Sequence, residues 1–127
     1  MGALVPVPGQ SIYGASKAAV KLLTEGLHAE LQSSTVAVTV VFPGGVGTDI
    51  AHNSGVSIPG GEQAAAQAPP TTMTAPAEAG RQIVDAVRNG TFRVTIGKDA
   101  RMLDRMSRIA PRRAIEMVAR RMKSLLG

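Results

Sequence analysis

The spacing of apolar residues divides the chain into helical and extended segments. Over about residues 11–32 they recur at intervals of three and four, which is typical of a helix with one apolar face. The residues on that face are Ala15, Ala18, Ala19, Leu22, Leu23, Leu27 and Leu31. Residues 36–42 are continuously apolar apart from one threonine, and they are rich in β-branched side chains. This run predicts a parallel strand covered on both faces, which Pro43-Gly44 ends.

A second helix is predicted in the latter half of the chain. A cap near residue 75 and Pro76 in the first turn favour a helix over residues 76–89, which ends at Asn89-Gly90. Three apolar residues supply its predicted buried stripe: Ile83, Val84 and Val87.

A second strand is predicted directly after this helix. Apolar residues alternate with polar ones over residues 92–96, and Gly97 ends the pattern. The order strand, helix, strand is typical of a right-handed crossover. We therefore expect residues 36–42 to pair in parallel with residues 92–96.

The charge of the chain is concentrated in a basic helical tail over residues 98–127. This tail holds nine of the fourteen Lys and Arg residues against three of the nine Asp and Glu, a net charge of +6. Its apolar residues form two helical stripes on either side of Pro111, namely Met102, Leu103, Met106 and Ile109, then Ile115, Val118, Met122, Leu125 and Leu126. A basic amphipathic helix can lie on an anionic membrane or bind an acidic partner. We favour a third interpretation, in which both helices cap a pocket or a subunit interface and keep their arginines in water.

The composition excludes several kinds of site and partner. The chain has no cysteine, so disulfides, thiolate metal sites and cysteine nucleophiles are excluded. No cluster of carboxylates accompanies its two histidines at ligand spacing, so we predict no metal site. No aromatic residues interleave with the basic ones to stack on bases, so we expect no nucleic acid partner. Neither a leader nor an apolar run near the roughly 20 residues of a membrane span is present, which favours a soluble, cytoplasmic protein.

The chemistry is concentrated at the start of the first predicted helix. Tyr13 is the only tyrosine, and Lys17 follows it by one helical turn. A phenol with an ordinary pKa of about 10 is protonated at neutral pH, and a neighbouring ammonium group lowers that pKa by favouring the phenolate. Because residues four apart share a helix face, the Lys17 ammonium can approach the Tyr13 hydroxyl. The pair is therefore a candidate general acid and base.

Two ordered motifs resemble those of the short-chain dehydrogenase/reductase family. Tyr13-Gly14-Ala15-Ser16-Lys17 resembles the family's Tyr-x-x-x-Lys motif, and Pro43-Gly44-Gly45-Val46-Gly47-Thr48 resembles its Pro-Gly-x-Val-x-Thr loop. The resemblance covers residues 1–97 and identifies them as the C-terminal half of a family member. It implies an α/β fold, namely the C-terminal portion of a Rossmann-like doubly wound parallel sheet, here followed by the helical tail.

The resemblance also implies an activity and a cofactor. Members of the family interconvert alcohols and carbonyl compounds by hydride transfer, with NAD or NADP as the cofactor, and small molecules as substrates. Tyr13 and Lys17 would be the catalytic residues, and both would also contact the cofactor. The cofactor-binding loop would consist of Pro43, Gly44, Val46 and Thr48, with the Val46 backbone at the nicotinamide carboxamide and Thr48 at the carboxamide or a nearby phosphate. The family often forms homo-oligomers through its tyrosine-bearing helix. Neither the substrate nor the choice between NAD and NADP can be read from these residues.

Other parts of the family pattern are not found in these 127 residues. The glycine-rich phosphate turn, the catalytic asparagine and the catalytic serine would all precede residue 1, so we expect the isolated chain to be a truncated, inactive form. The alternative is a non-catalytic module that acts through oligomerisation or other interactions. The family's substrate lid would fall within residues 49–75, whose small and polar composition predicts a mobile loop.

Overall fold

A computed structural model describes residues 1–48 and 73–126. The predicted lid, apart from residues 73–75, lies outside the described residues. The elements are helix α1 (Ser11–Glu30), strand β1 (Val40–Pro43), helix α2 (Pro76–Arg88), strand β2 (Arg93–Ile96), helix α3 (Lys98–Ile109) and helix α4 (Pro111–Leu126). The two strands form a parallel sheet, so the chain has the α/β architecture of a partial Rossmann-like fold.

The first helix forms where the apolar spacing predicts it. It ends at Glu30, after which the Leu31 N–H donates to the Leu27 carbonyl. Its His28 ring stacks on Phe92, the residue before β2, with ring centroids 4.0 Å apart. Most of its apolar face remains exposed, including Leu22 at 69 % and Leu23 at 65 %.

The parallel pairing of the two strands is confirmed, although the first strand is shorter than predicted. Val40 is aligned with Arg93 and Pro43 with Ile96, so the ladder covers four residues of each strand. Residues 36–39 precede Val40, the first residue of β1 that pairs with β2, and form no regular ladder in the described structure. Their apolar composition is suited to a strand, but a strand also requires a neighbour to which its backbone can hydrogen-bond.

The second helix begins and ends as predicted, but its buried face differs from the prediction. Pro76 is the first helical residue, and Gly90 follows the C-cap with a positive φ of 62°. The buried residues are Ala79 and Ala86, seven positions apart on one face. The predicted stripe is wrong, because the large residues lie beside that face and stay exposed: Ile83, Val84 and Val87. Small side chains allow the helix to approach β2 closely.

The basic tail forms two helices that pack on the start of the chain. Their buried cluster consists of Val5, Leu103 and Ala114, with four partly buried residues around it: Leu4, Met106, Met117 and Val118. The predicted stripes are therefore only partly buried, and Ile109 is 85 % exposed. Arginines of these two helices remain largely in water, and the side chains of Arg112 and Arg120, for example, are 91 % and 81 % exposed. Among the described residues, no helix is long and apolar enough to cross a membrane.

Candidate active site

Tyr13 and Lys17 lie together in the first turns of α1. The Lys17 Nζ atom is 5.3 Å from the centroid of the Tyr13 ring, as the one-turn spacing predicts. The tyrosine is 54 % exposed, so its hydroxyl is open to a ligand. The flexible four-carbon stem of lysine lets its ammonium move between the ring face and the hydroxyl. This arrangement can assist proton transfer at the phenol oxygen.

The first two residues lie between the tyrosine and the end of β1. A Cβ atom at Gly2 would lie 3.2 Å from the Tyr13 Cε1 atom, so the Gly2 backbone packs against the ring edge. The Met1 ammonium donates to the Pro43 carbonyl at 3.1 Å. Burial lowers the pKa of this amine, and the negative charge of Asp99 partly offsets the lowering. Residues 1 and 2 thus connect the helix that carries Tyr13 to the loop after β1.

The loop over residues 43–48 follows the carboxyl end of β1, where open α/β sheets bind their ligands. Its backbone is held from two sides. The Gly44 N–H donates to the Ile96 carbonyl at 2.8 Å, which continues the parallel ladder. The Thr74 N–H donates to the Gly45 carbonyl at 2.8 Å, and the Gly47 N–H donates to the Thr74 carbonyl at 3.1 Å. These two bonds form a parallel bridge between Val46 and Thr74.

The geometry of this bridge turns one backbone donor of the loop away from Thr74. In a parallel bridge the bonds come from the residues on either side of the bridged one, so the N–H and carbonyl of Val46 face away from Thr74. The Val46 carbonyl accepts from the Thr48 N–H at 2.9 Å. The Val46 N–H therefore points away from Thr74, and the side chain of Thr48, two residues later, is exposed.

The structure thus brings the predicted site residues together as two groups. Tyr13 and Lys17 share one helix face, and four residues share the loop: Pro43, Gly44, Val46 and Thr48. No hydrogen bond joins the two groups within the described residues, and the link runs through Met1 and Gly2.

A cavity of about 370 Å³ lies beside the loop, where β2 ends and α3 begins. Six of its eight lining residues are charged or polar: Thr74, Glu78, Gln82, Lys98, Asp99 and Arg101, with Met73 and Gly97 beside them. Hydrogen bonds from Arg81 and then Gln82 lower the pKa of Glu78 to about 2, so this carboxylate is ionised at neutral pH. The cavity therefore presents charges of both signs to a ligand.

A larger cavity of about 540 Å³ lies away from both groups and contains an ion network that sequence reasoning missed. Arg93 donates to Glu25 of α1 at 3.1 Å and to Asp104 of α3 at 2.7 Å. Its guanidinium carbon is also 4.1 Å from the centroid of the Phe42 ring in β1. The available signal was a charged residue at one of the polar positions of this short alternating strand. This network fixes the tyrosine-bearing helix to the sheet and to the tail.

Comparison with known proteins identifies the family. A family model described as short chain dehydrogenase matches residues 1–57, which contain both motifs. A putative oxidoreductase, SadH, from Mycobacterium tuberculosis is 37 % identical over 110 residues, covering 84 % of this chain and 40 % of the relative. The chain thus spans about two fifths of that relative's length. No solved structure matches the chain significantly.

Two further relatives have names that specify a reductase. Sulfoacetaldehyde reductase 2 from Chromohalobacter salexigens is 43 % identical over 63 residues, which are 50 % of this chain and 23 % of that protein. The NADPH-dependent 1-acyldihydroxyacetone phosphate reductase from Saccharomyces cerevisiae is 45 % identical over 51 residues, which are 40 % of this chain and 17 % of that protein. The chain therefore belongs to the short-chain dehydrogenase/reductase family.

Proposed function

We propose that the chain carries the proton-transfer residues of an NAD(P)-dependent oxidoreductase that interconverts an alcohol and a carbonyl compound. One observation carries this proposal. Tyr13 and Lys17 form an accessible pair on α1, in a chain of this family whose loop after β1 presents an outward backbone donor. The substrate class is a small alcohol or carbonyl compound, in line with the reductase names of two relatives.

The roles of the residues follow from their chemistry. In the reductive direction the Tyr13 hydroxyl donates its proton to the substrate oxygen, and in the oxidative direction the phenolate accepts it. The Lys17 ammonium lies 5.3 Å from the centroid of the Tyr13 ring and can also bind ribose hydroxyls. The Val46 N–H and the Thr48 hydroxyl would hold the carboxamide, while Pro43 and Gly44 shape the backbone before them. When bound, the nicotinamide supplies or accepts the hydride.

We further propose that the 127-residue chain alone does not bind the cofactor measurably. Its described loop offers contacts at the nicotinamide end, and its sequence contains no glycine-rich turn of the G-x-G-x-x-G type between a strand and a helix N-terminus, which would bind the pyrophosphate. Backbone N–H groups of such a turn donate charge-assisted hydrogen bonds to the pyrophosphate, and bonds to charged groups contribute roughly 1.5 to 3 kcal/mol each. The absence of several such bonds lowers the affinity by orders of magnitude.

Cofactor titration tests the proposal. The 127-residue chain is compared with an extended chain, in which the N-terminal portion of the mycobacterial relative precedes residue 1. We expect NADH or NADPH fluorescence to change only with the extended chain, and Lys17→Ala to weaken binding by about tenfold, since one charged contact is lost. The control is Lys123→Ala, an exposed residue of the tail.

Two results of this titration would contradict the proposal. Micromolar binding by the 127-residue monomer would show that the phosphate turn is not required. Equal affinities for the extended chain and its Lys17→Ala variant would remove Lys17 from the cofactor site.

A second candidate function is that of an oligomerisation module, and the exposed apolar face of α1 favours it. Ile12 is 87 % exposed, and Leu22 and Leu23 are also largely exposed. Burying such residues between two copies is worth about 25 cal/mol per Å² of apolar surface. We expect sedimentation to detect dimers or larger species, and Leu22→Glu with Leu23→Glu to give monomers. Self-association without cofactor binding by the extended chain would favour this module over the enzyme.

A further inference from the structure

We propose that Asp99 is the positioning residue of the loop over residues 43–48. It acts through the loop backbone, without touching the substrate or the cofactor. This inference rests on the proposed function, because it assigns to that loop the nicotinamide side of the site. Asp99 lies in the first turn of α3, 54 positions from the loop residue that it contacts.

The carboxylate holds one loop amide directly. The Asp99 Oδ2 atom accepts a hydrogen bond from the Gly45 N–H at 2.8 Å. The preceding amide, Gly44 N–H, donates to Ile96 at the end of β2. Two consecutive loop amides are thus bound to the last residue of β2 and to the first turn of α3, on either side of Gly97. Hydrogen bonds to an ionised acceptor are shorter and stronger than those between neutral groups, so this contact restrains the loop firmly.

Two glycines make room for the carboxylate. A Cβ atom at Gly44 would overlap the Asp99 carboxylate, and one at Gly97 would lie 2.5 Å from Oδ1. Gly97 also has a φ of 94°, which side-chain-bearing residues rarely adopt. The Oδ1 atom is buried and has no hydrogen-bond partner. The carboxylate is therefore packed closely against the backbone of both segments, where it has little freedom to move.

The restraint determines where the Val46 N–H points. With its N–H bound to Asp99, Gly45 presents its carbonyl to the Thr74 N–H. That bond is one of the two that form the bridge at Val46. The bridge turns the Val46 N–H away from Thr74. Asp99 therefore controls the direction of the N–H group that we propose as the donor to the nicotinamide carboxamide. Loss of the carboxylate should loosen the loop and weaken nicotinamide binding more than it slows proton transfer at Tyr13.

Amide hydrogen exchange in the 127-residue chain tests the restraint without any activity. The variants are Asp99→Ala, Asp99→Asn and the control Asp85→Asn, which removes a surface carboxylate on α2. We expect Asp99→Ala to accelerate exchange of the Gly45 amide by about tenfold or more. Asp99→Asn should give a smaller acceleration, because the amide oxygen can still accept, and Asp85→Asn should give none.

The pattern of exchange separates positioning from general stability. The Val94 amide in β2 should exchange at the same rate in the parent and in Asp99→Ala. An unchanged Gly45 amide in Asp99→Ala would overturn the proposal. An equal acceleration at Gly45 and Val94 would also overturn it, since Asp99 would then only stabilise the fold.

Kinetics of the extended chain provide the functional test. We expect Asp99→Ala to raise the KM for NADH or NADPH by about tenfold and to change kcat by less than about twofold, with partial rescue in Asp99→Asn. A fall in kcat with an unchanged KM would overturn the positioning role. If the parent extended chain shows no hydride transfer, the proposed function fails, and the exchange data still decide whether Asp99 restrains the loop.

Discussion

Replacement of Arg93 by methionine is expected to destabilise the chain more than the loss of an ordinary surface ion pair. The arginine side chain is 19 % exposed and donates to Glu25 of α1 and to Asp104 of α3. Methionine preserves an unbranched stem that can pack over the Phe42 ring, but it removes both charge-assisted hydrogen bonds. Arg93→Met therefore tests whether the network holds the tyrosine-bearing helix in place.

The structure determines the expected magnitude. Hydrogen bonds to charged groups contribute roughly 1.5 to 3 kcal/mol each. The loss of two such bonds sets the upper limit of the decrease in the free energy of unfolding. Three features reduce it. Glu25 keeps an ion pair with Lys21, and Asp104 keeps one with Arg108. The Arg93 Nε atom is buried without a partner, and the variant relieves that cost. Water also partly screens the network. We expect a loss of about 2 kcal/mol.

Urea unfolding followed by far-ultraviolet circular dichroism measures this loss. For a chain of this size, about 2 kcal/mol also corresponds to a decrease in Tm of roughly 6 to 10 °C. The matched control is Arg112→Met, which removes the ion pair of a 91 % exposed side chain with Glu116. The control should change the free energy of unfolding by less than about 0.5 kcal/mol. Equal effects of the two variants would refute a stabilising role for the Arg93 network.

Three further variants test local features of the structure. Gly97→Ala should cost about 1 to 3 kcal/mol, because residue 97 has a positive φ. In contrast, Gly80→Ala, within α2 and with open space around it, should stabilise by about 1 kcal/mol, and urea unfolding compares the two. The pKa of Glu78 is lowered to about 2, so its bonds to Arg81 and Gln82 add stability that is fully present above pH 4.5 and lost as the pH falls towards 2. Glu78→Gln should flatten the decline of stability over this range, and an unchanged pH profile would contradict the assignment.

The sequence predicts those features of the fold that depend on local signals. The apolar spacing over residues 11–32 predicts α1, although the helix ends at Glu30, three to four residues before the end expected near residues 33 and 34. Pro76 at the start and Gly90 after the end define α2 through their backbone preferences. The crossover rule predicts the parallel alignment of the strands. Each of these inferences uses residues close together in the chain or a rule of chain topology.

Features that depend on distant partners were not predictable in the same way. The length of β1 is limited by the four residues that β2 offers, which no property of residues 36–42 reveals. Arg93 is paired with Glu25 across 68 positions, and Asp99 with Gly45 across 54 positions. A single sequence identifies these side chains as charged but contains no information on which distant group each one meets. The face that α2 buries is likewise decided by its contact with β2, where alanines fit closely.

The most direct test of the proposed function is the rate of hydride transfer by the extended chain with Tyr13→Phe. The variant removes one hydroxyl and keeps the ring beside Gly2 and under Lys17. General acid and base catalysis contributes about a hundredfold or more, so turnover should fall by at least that factor. The Kd for NADH or NADPH should change by less than about twofold, because the loop and Lys17 are intact. Turnover by Tyr13→Phe at close to the parental rate would contradict the assignment of Tyr13 as the proton donor.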